Sequence, residues 1–290
     1  MDVAQKTNPV AEPVVGFWRT TRFHISLHDP LVMGIVNATP DSFSSSDSSF
    51  SPADTIHKAQ ILLREGADVL DIGGESTRPG AIPLTHEQEW QRIEPVLREL
   101  VTWQVPLSVD TYHPENMQKS LDLGVDIIND VWALRQANAL EVVAKYDCGV
   151  CLMHMHGNPL TMQLSPMQEE TLEPVFEFLQ MQSQLVQSYG VAAHRIVIDP
   201  GIGFGKTVTQ NFDILQRQKL LLDLGFPVMV GWSRKSSLGK VTGLDVADRC
   251  VPSVVAAMLA IERGAKIVRV HDVAQTVSAL AVWKNAPALM

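Results

Sequence analysis

Eight short apolar runs recur along the chain, separated by stretches with helical spacing, and this rhythm limits the fold more than any other feature. The runs are LVMGIV (31–36), DVLDI (68–72), PLSV (106–109), DII (126–128), GVCLM (149–153), IVI (196–198), PVMV (227–230) and KIVRV (266–270). Segments 52–65, 86–103, 114–123, 171–189, 210–224 and 248–263 read as helices; Pro52 and Pro114 suit a first helical turn, and Gly66, Gly124, Gly190 and Gly264 suit helix ends. Runs that are apolar throughout fit strands buried on both faces, hence a parallel sheet. Eight strand–loop–helix units predict closure into a single (β/α)8 TIM barrel of the α/β class, a unit that takes about 250 residues. An open doubly wound sheet is the alternative, but NATPDSF (37–43) stands after the first strand in place of a dinucleotide fingerprint.

Upstream, segment 14–30 reads as two short strands, a β-hairpin that would plug the barrel floor. The expected organisation is a flexible N-terminal tail over 1–13 and one barrel domain over 14–290. The formal charge of −9 comes with scattered Lys and Arg, so no basic stripe is present and nucleic acid is not an expected partner. An odd count of three cysteines argues against a disulfide framework. No apolar run approaches the roughly 20 residues that span a bilayer, and MDVAQKTNPVAEP lacks a signal-peptide core, so the expected location is cytoplasmic with no membrane partner.

In such a barrel the chemistry gathers where strands end. In order, the ends carry Asn37, Asp71, Asp110-Thr111, Asn129-Asp130, His154, Asp199, Ser233-Arg234-Lys235-Ser236 and His271-Asp272. Any one of these could simply cap the next helix. As a set, Asp110, Asn129 and Asp199 would face one mouth lined by Lys235 and Arg269, an arrangement suited to a planar ligand with several N–H donors. The loops after strands seven and eight commonly hold phosphate, and here they supply Ser233, Arg234, Lys235, Arg269 and His271.

Three apparent motifs carry less. PGIGFGKT lacks Walker spacing, because Pro200 stands where the first glycine is required; its glycines suit a tight turn or close approach to a ligand. Cys148 and Cys151 flank the start of a buried strand and read as packing residues. His154 and His156 could ligate zinc, but no clear third ligand follows, and hydrogen-bonding roles fit better.

The strand-end segments resemble, in order, those of the dihydropteroate synthase family: MGIVNATPDSFS (33–44), ADVLDIGGESTRPGA (67–81), LSVDT (107–111), DIIND (126–130), CLMHMHGNP (151–159), IDPGIGFGK (198–206), VGWSRKS (230–236) and VRVHDV (268–273). The resemblance runs from about Pro30 to Thr276. It implies an enzyme that joins a pterin pyrophosphate to 4-aminobenzoate in folate biosynthesis, with competition by sulfonamides. Carried over, the pterin pocket falls on Asp110, Asn129, Met153, Asp199, Phe204, Gly231 and Lys235. The pyrophosphate site falls on Asn37, Arg269 and His271, with Mg2+ as cofactor and Asn37 among its oxygen ligands. The 4-aminobenzoate site is implied at Phe43, Thr77, Arg78, Pro79 and Ser236, and Asp41 and Arg78 join the catalytic set. The first two loops, with Gly73, Gly74 and Gly80 in the second, would form a lid. A homodimer is the implied assembly, although no apolar helix face stands out in the spacing. One departure is Ser45-Ser46-Asp47-Ser48-Ser49, where the family commonly has Asp-Gly-Gly; this bears on how the first loop closes. The rival readings are a related pterin-binding methyltransferase and a catalytically silent pterin-binding barrel.

Overall fold

A hairpin of β1 (Phe17–Arg19) and β2 (His24–Ser26) comes first among the described residues, and eight parallel strands follow. They are β3 (Leu31–Asn37), β4 (Val69–Gly73), β5 (Leu107–Asp110), β6 (Ile127–Asp130), β7 (Gly149–Met153), β8 (Ile196–Asp199), β9 (Val228–Val230) and β10 (Ala265–Val270). They pair in chain order, and β10 returns to pair with β3, which closes the barrel. This computed structural model describes residues 16–39, 51–75, 83–158, 162, 165–168 and 171–286. The expected tail 1–13 and most of the first two loops lie outside the described residues.

The strands read as uniformly apolar because both of their side-chain sets are buried, against different neighbours. One set, including Val32, Leu70, Ile72, Leu107, Val109, Ile128, Val150, Leu152, Ile198, Val228, Val230 and Val268, packs with the surrounding helices. The alternate set fills the barrel's lower interior with Leu31, Met33, Val69, Ile127, Cys151, Val197, Met229 and Ile267. Since side chains alternate along a strand, the next inward position lies two residues on. There the chemistry changes, to Asp71, Asn129, Met153, Asp199, Gly231 and Arg269. Barrel closure thus delivers these residues to one layer.

The hairpin seals the other end. Trp18 is fully buried in the interior cluster and donates from Nε1 to the Arg195 carbonyl at 2.9 Å. A Cβ on Gly149 would lie 2.9 Å from that same Nε1, so the start of β7 has no room for a side chain. Arg22 donates to both oxygens of buried Asp126, and Asp126 also accepts from the Leu107 N–H, tying the hairpin to the bases of β5 and β6.

The helices are α1 (Pro52–Arg64), α2 (His86–Leu100), α3 (Pro114–Leu123), α4 (Ala139–Val143), α5 (Leu172–Ser188), α6 (Val208–Arg217), α7 (Ser236–Thr242), α8 (Cys250–Glu262) and α9 (Val273–Asn285). Capping explains several starts: Ser51 accepts from the Asp54 N–H, and Thr85 and Thr207 form reciprocal capping boxes with Gln88 and Gln210. The expected helix over 210–224 begins earlier, at the Thr207 cap, and gives way at Gln218 to a 3-10 segment over Gln218–Leu224. There the Gln218 amide, fully buried, donates to the Ala260 carbonyl. Three helices, α4, α7 and α9, stand where the spacing marks none.

Candidate active site

The inward polar layer is built around Arg269. Its Nε donates to Asp71 Oδ2 and its Nη2 to Asp110 Oδ2, each at 2.6 Å. Asp71 is completely buried, and the same Oδ2 lies 3.3 Å from the Asn129 amide nitrogen. One carboxylate oxygen therefore joins a residue expected to hold phosphate to one expected to read the pterin. The other oxygen, Asp71 Oδ1, is a buried acceptor with no hydrogen-bond partner among the described residues. Such an atom ordinarily finds a donor, from water or from a ligand. Burial pushes the Asp110 carboxyl above the usual carboxylate range, and Asp71 pushes it the same way, while Arg269 and Lys235 oppose.

Asp199 ends β8 in the same layer. Its Oδ1 accepts the Gly201 N–H at 2.7 Å, which fixes the carboxylate, and burial raises its pKa against that bond and against Lys235, Lys206 and Arg269. Lys235 stands at the start of α7 with its ammonium 4.2 Å from the centre of the Phe204 ring, a cation–π contact. Burial and nearby Arg269 pull its pKa down to about 8, with Asp199 and Asp110 restraining the shift. Phe204 and Met153 share one buried apolar cluster with Val131, Met155 and Met162, and Tyr112 and Trp132 pack against it. An aromatic and thioether wall thus stands beside the acceptor carboxylates. Gly231, at an inward position of β9, has nothing within 4 Å of where a Cβ would be, so its missing side chain leaves space beside that wall.

His271 follows β10 and is held by Ser233. The Ser233 hydroxyl oxygen accepts the His271 backbone N–H at 3.1 Å and lies 2.9 Å from its Nδ1. A hydroxyl that donates its one proton to Nδ1 leaves the imidazole hydrogen on Nε2. Burial, with Arg269, Arg234 and Lys58 nearby, holds the His271 pKa down at about 3, so the ring is neutral at physiological pH. Asn37 ends β3 half-buried, its backbone in register with Gly73, which is itself in register with Asp110.

The structure thus brings Asp110, Asn129, Met153, Asp199, Phe204, Lys235 and Arg269 together, with Asn37, Gly231 and His271 at adjoining strand ends. Ser236 is the exposed first residue of α7. Asp41, Phe43, Thr77, Arg78 and Pro79 lie outside the described residues. Other strand-end groups take structural work. Asp130 accepts the N–H groups of Trp132 and Leu134, and Arg234, at a φ of 56°, pairs with Asp272. Both cysteines of the C-x-x-C are buried thiols, and His154 bonds Lys206 through Nδ1.

The sequence reading gave no role to Asp71, although a lone acid inside an apolar run at the inward parity was the available signal. It also passed over a second carboxylate network beside the mouth. Glu89, pushed up to about 7 by burial, accepts from the Thr111 hydroxyl and the Asn116 amide, steadying the end of β5 against α2. Glu75 accepts from the Leu84 N–H and the Tyr112 hydroxyl, joining the two ends of the second loop. Gly74 packs closely at the start of the second loop: a Cβ there would lie 2.8 Å from Ile93 and 2.9 Å from Glu89.

Residues 33–271 match the model of the pterin binding enzyme family. A dihydropteroate synthase of Neisseria meningitidis serogroup B is 47% identical over 274 residues, covering 92% of this chain and 96% of that protein. The chain belongs to the dihydropteroate synthase family. Among solved structures, dihydropteroate synthase from Xanthomonas albilineans with 4-aminobenzoic acid superposes with a TM-score of 0.87 at 42% identity, covering 93% of this chain and all of that one. The Burkholderia cenocepacia dihydropteroate synthase complexed with 7,8-dihydropteroate gives 0.84 at 42% identity, covering 93% and 95%. Against dihydropteroate synthases the resemblance therefore extends from separate motifs to nearly the whole barrel.

Proposed function

We infer that the chain condenses 6-hydroxymethyl-7,8-dihydropterin pyrophosphate with 4-aminobenzoate, releasing pyrophosphate and forming 7,8-dihydropteroate. The observation that carries this reading is the single inward layer in which buried Asn129 and Asp199 and half-buried Asp110 meet the cations Lys235 and Arg269. Asp110 and Asp199 accept from the amino-pyrimidine N–H groups, Asn129 donates and accepts, and Lys235 donates to the ring carbonyl or a ring nitrogen. Phe204 and Met153 cover the ring, and Gly231 leaves room for it.

The amine nitrogen attacks the pterin methylene carbon, the carbon–oxygen bond to pyrophosphate breaks, and the nitrogen gives up a proton. Arg269 and the neutral His271, with its hydrogen on Nε2, donate to the departing phosphate oxygens. Buried carboxylates around the ring favour positive charge on the pterin as that bond lengthens. Thr77, Arg78, Pro79, Phe43 and Ser236 are assigned to 4-aminobenzoate, which makes their site the place where sulfonamides compete. Asp41 is assigned beside the reacting carbon.

Mg2+ is the proposed cofactor. Among the described residues no group of three or more His, Cys, Asp or Glu side chains forms a metal cage. The Asn37 amide oxygen, a hard donor at the strand end, would help hold the ion. When bound, it neutralises charge on the pyrophosphate.

The proposed assembly is a homodimer through α8. Val251, Val255 and Leu259 recur every four residues on its exposed face, and Val282 of α9 is 72% exposed. The proposed location is the cytoplasm, which suits three free thiols; among the described residues no helix is long and apolar enough to cross a membrane.

Purified protein given Mg2+, the pterin pyrophosphate and 4-aminobenzoate is expected to yield equal amounts of pyrophosphate and 7,8-dihydropteroate, identified by mass. Pterin binding without product under saturating substrates would favour a silent barrel. Methyl transfer from a methylated pterin to a corrinoid protein would favour the methyltransferase.

A further inference from the structure

The segment PGIGFGKT, which fails as a nucleotide loop, contains the most deeply buried lysine near the site. Lys206 is 3% exposed. Its ammonium lies 2.8 Å from His154 Nδ1, 2.9 Å from the Gly201 carbonyl oxygen and 3.2 Å from the Phe204 carbonyl oxygen. A fourth acceptor, the His154 carbonyl, is at 3.4 Å. An ammonium has three N–H donors, and here three acceptors at bonding distance receive them. None of those partners is a carboxylate. The loop after β8 therefore folds around the side chain of its own last residue, much as a peptide wraps a bound cation.

The backbone is shaped for that wrapping. Gly201, Gly203 and Gly205 all have positive φ. A Cβ on Gly201 would fall 1.8 Å from the His154 carbonyl oxygen, one of the groups gathered around the ammonium. Two of these turns border residues assigned to the pterin. Gly201 donates its N–H to Asp199, Phe204 lies under the Lys235 ammonium, and a Cβ on Gly203 would sit 3.2 Å from the Lys235 side chain.

We propose that Lys206 is a positioning residue for pterin recognition: its buried ammonium acts as a built-in cation that holds loop 200–206 closed, so that Asp199, Phe204 and Lys235 meet the ring together. The inference rests on the pterin-binding reading given above. Lys206 acts through the loop that carries Asp199, Phe204 and Gly203, so its effect should fall on the pterin. Burial pulls the Lys206 pKa down to about 7, opposed by Asp199.

The test compares wild-type protein with Lys206→Met, which keeps length and volume but removes every donor. Calorimetric titration with phosphate-free 6-hydroxymethyl-7,8-dihydropterin should show affinity weakened about thirty-fold in the variant, the size of a lost charge-assisted hydrogen bond. Binding of inorganic pyrophosphate and the KM for 4-aminobenzoate should stay within about two-fold, as at a site left in place. An unchanged pterin affinity overturns the proposal. Equal losses for all three ligands also overturn it, since they mark a general role in folding. If Lys206→Met does not fold, Lys206→Gln, which retains two donors, carries the same comparison with a smaller loss. Wild-type protein that binds no dihydropterin would overturn the pterin-binding reading itself, and with it this inference.

Discussion

Asp199→Ala is expected to lower kcat/KM for the pterin pyrophosphate by several hundred-fold. Its carboxylate is buried at the end of β8 and oriented by the Gly201 N–H, so it faces the ligand in one geometry. Two ring N–H groups that lose a charged acceptor in a dry site would cost together about 3–4 kcal/mol, and each 1.4 kcal/mol is about a factor of ten. Steady-state kinetics checks this, with near-UV circular dichroism to confirm that the barrel is folded. Asp199→Asn retains an acceptor for Gly201 and should hold the loop, yet it brings an NH2 toward ring donors and should still lose most of the affinity. A loss smaller than about three-fold, the level of a neutral surface change, would remove Asp199 from the site.

Arg269→Gln is the second large effect, expected at about a thousand-fold in kcat/KM. The guanidinium lies 2.6 Å from two carboxylates, and the Asp71 side chain has no exposure at all. Removing one partner of a buried ion pair costs about 3–5 kcal/mol, and here it also removes a donor to the departing pyrophosphate. The pH dependence separates the two causes. In the proposed site Asp110 accepts pterin N–H groups best when ionised, since protonation turns one oxygen into a donor, so pterin binding should weaken as pH falls through its pKa. Burial already raises that pKa, and Arg269 is the main force holding it down. Without Arg269 it rises further, and the acid limb of the pH profile should move toward alkaline pH. Raising the pH should restore binding of phosphate-free pterin in the variant and leave the pyrophosphate defect. An unshifted limb would show that Arg269 does not govern Asp110.

Much of this was legible from residue order alone. Strands sandwiched between a packed interior and a helical shell are apolar at both parities, so eight apolar runs marked eight strands. Polar residues stood out at their ends. Harder to see was which polar group had ligand-facing work. Asp130 and Asp272 read like Asp110 and Asp199, but one accepts backbone N–H groups and the other pairs with Arg234. Parity separates two of them: Asp199 lies two residues from inward Val197, whereas Asp130 lies three from inward Ile127. The same rule would have admitted Asp71. Helix α4 escaped notice because five residues carry too little period. In α8 apolar side chains lie on every side, so its exposed stripe at 251, 255 and 259 could not be told from its buried face.

The proposed division of the strand-end ring is between residues that read a pterin and residues that hold a pyrophosphate. Its most direct test is calorimetric titration of Asp199→Ala and His271→Ala, each with phosphate-free dihydropterin and with the pyrophosphate form. Asp199→Ala should weaken both ligands alike, whereas His271→Ala should weaken only the pyrophosphate form. Parallel losses for both ligands in both variants would contradict the division.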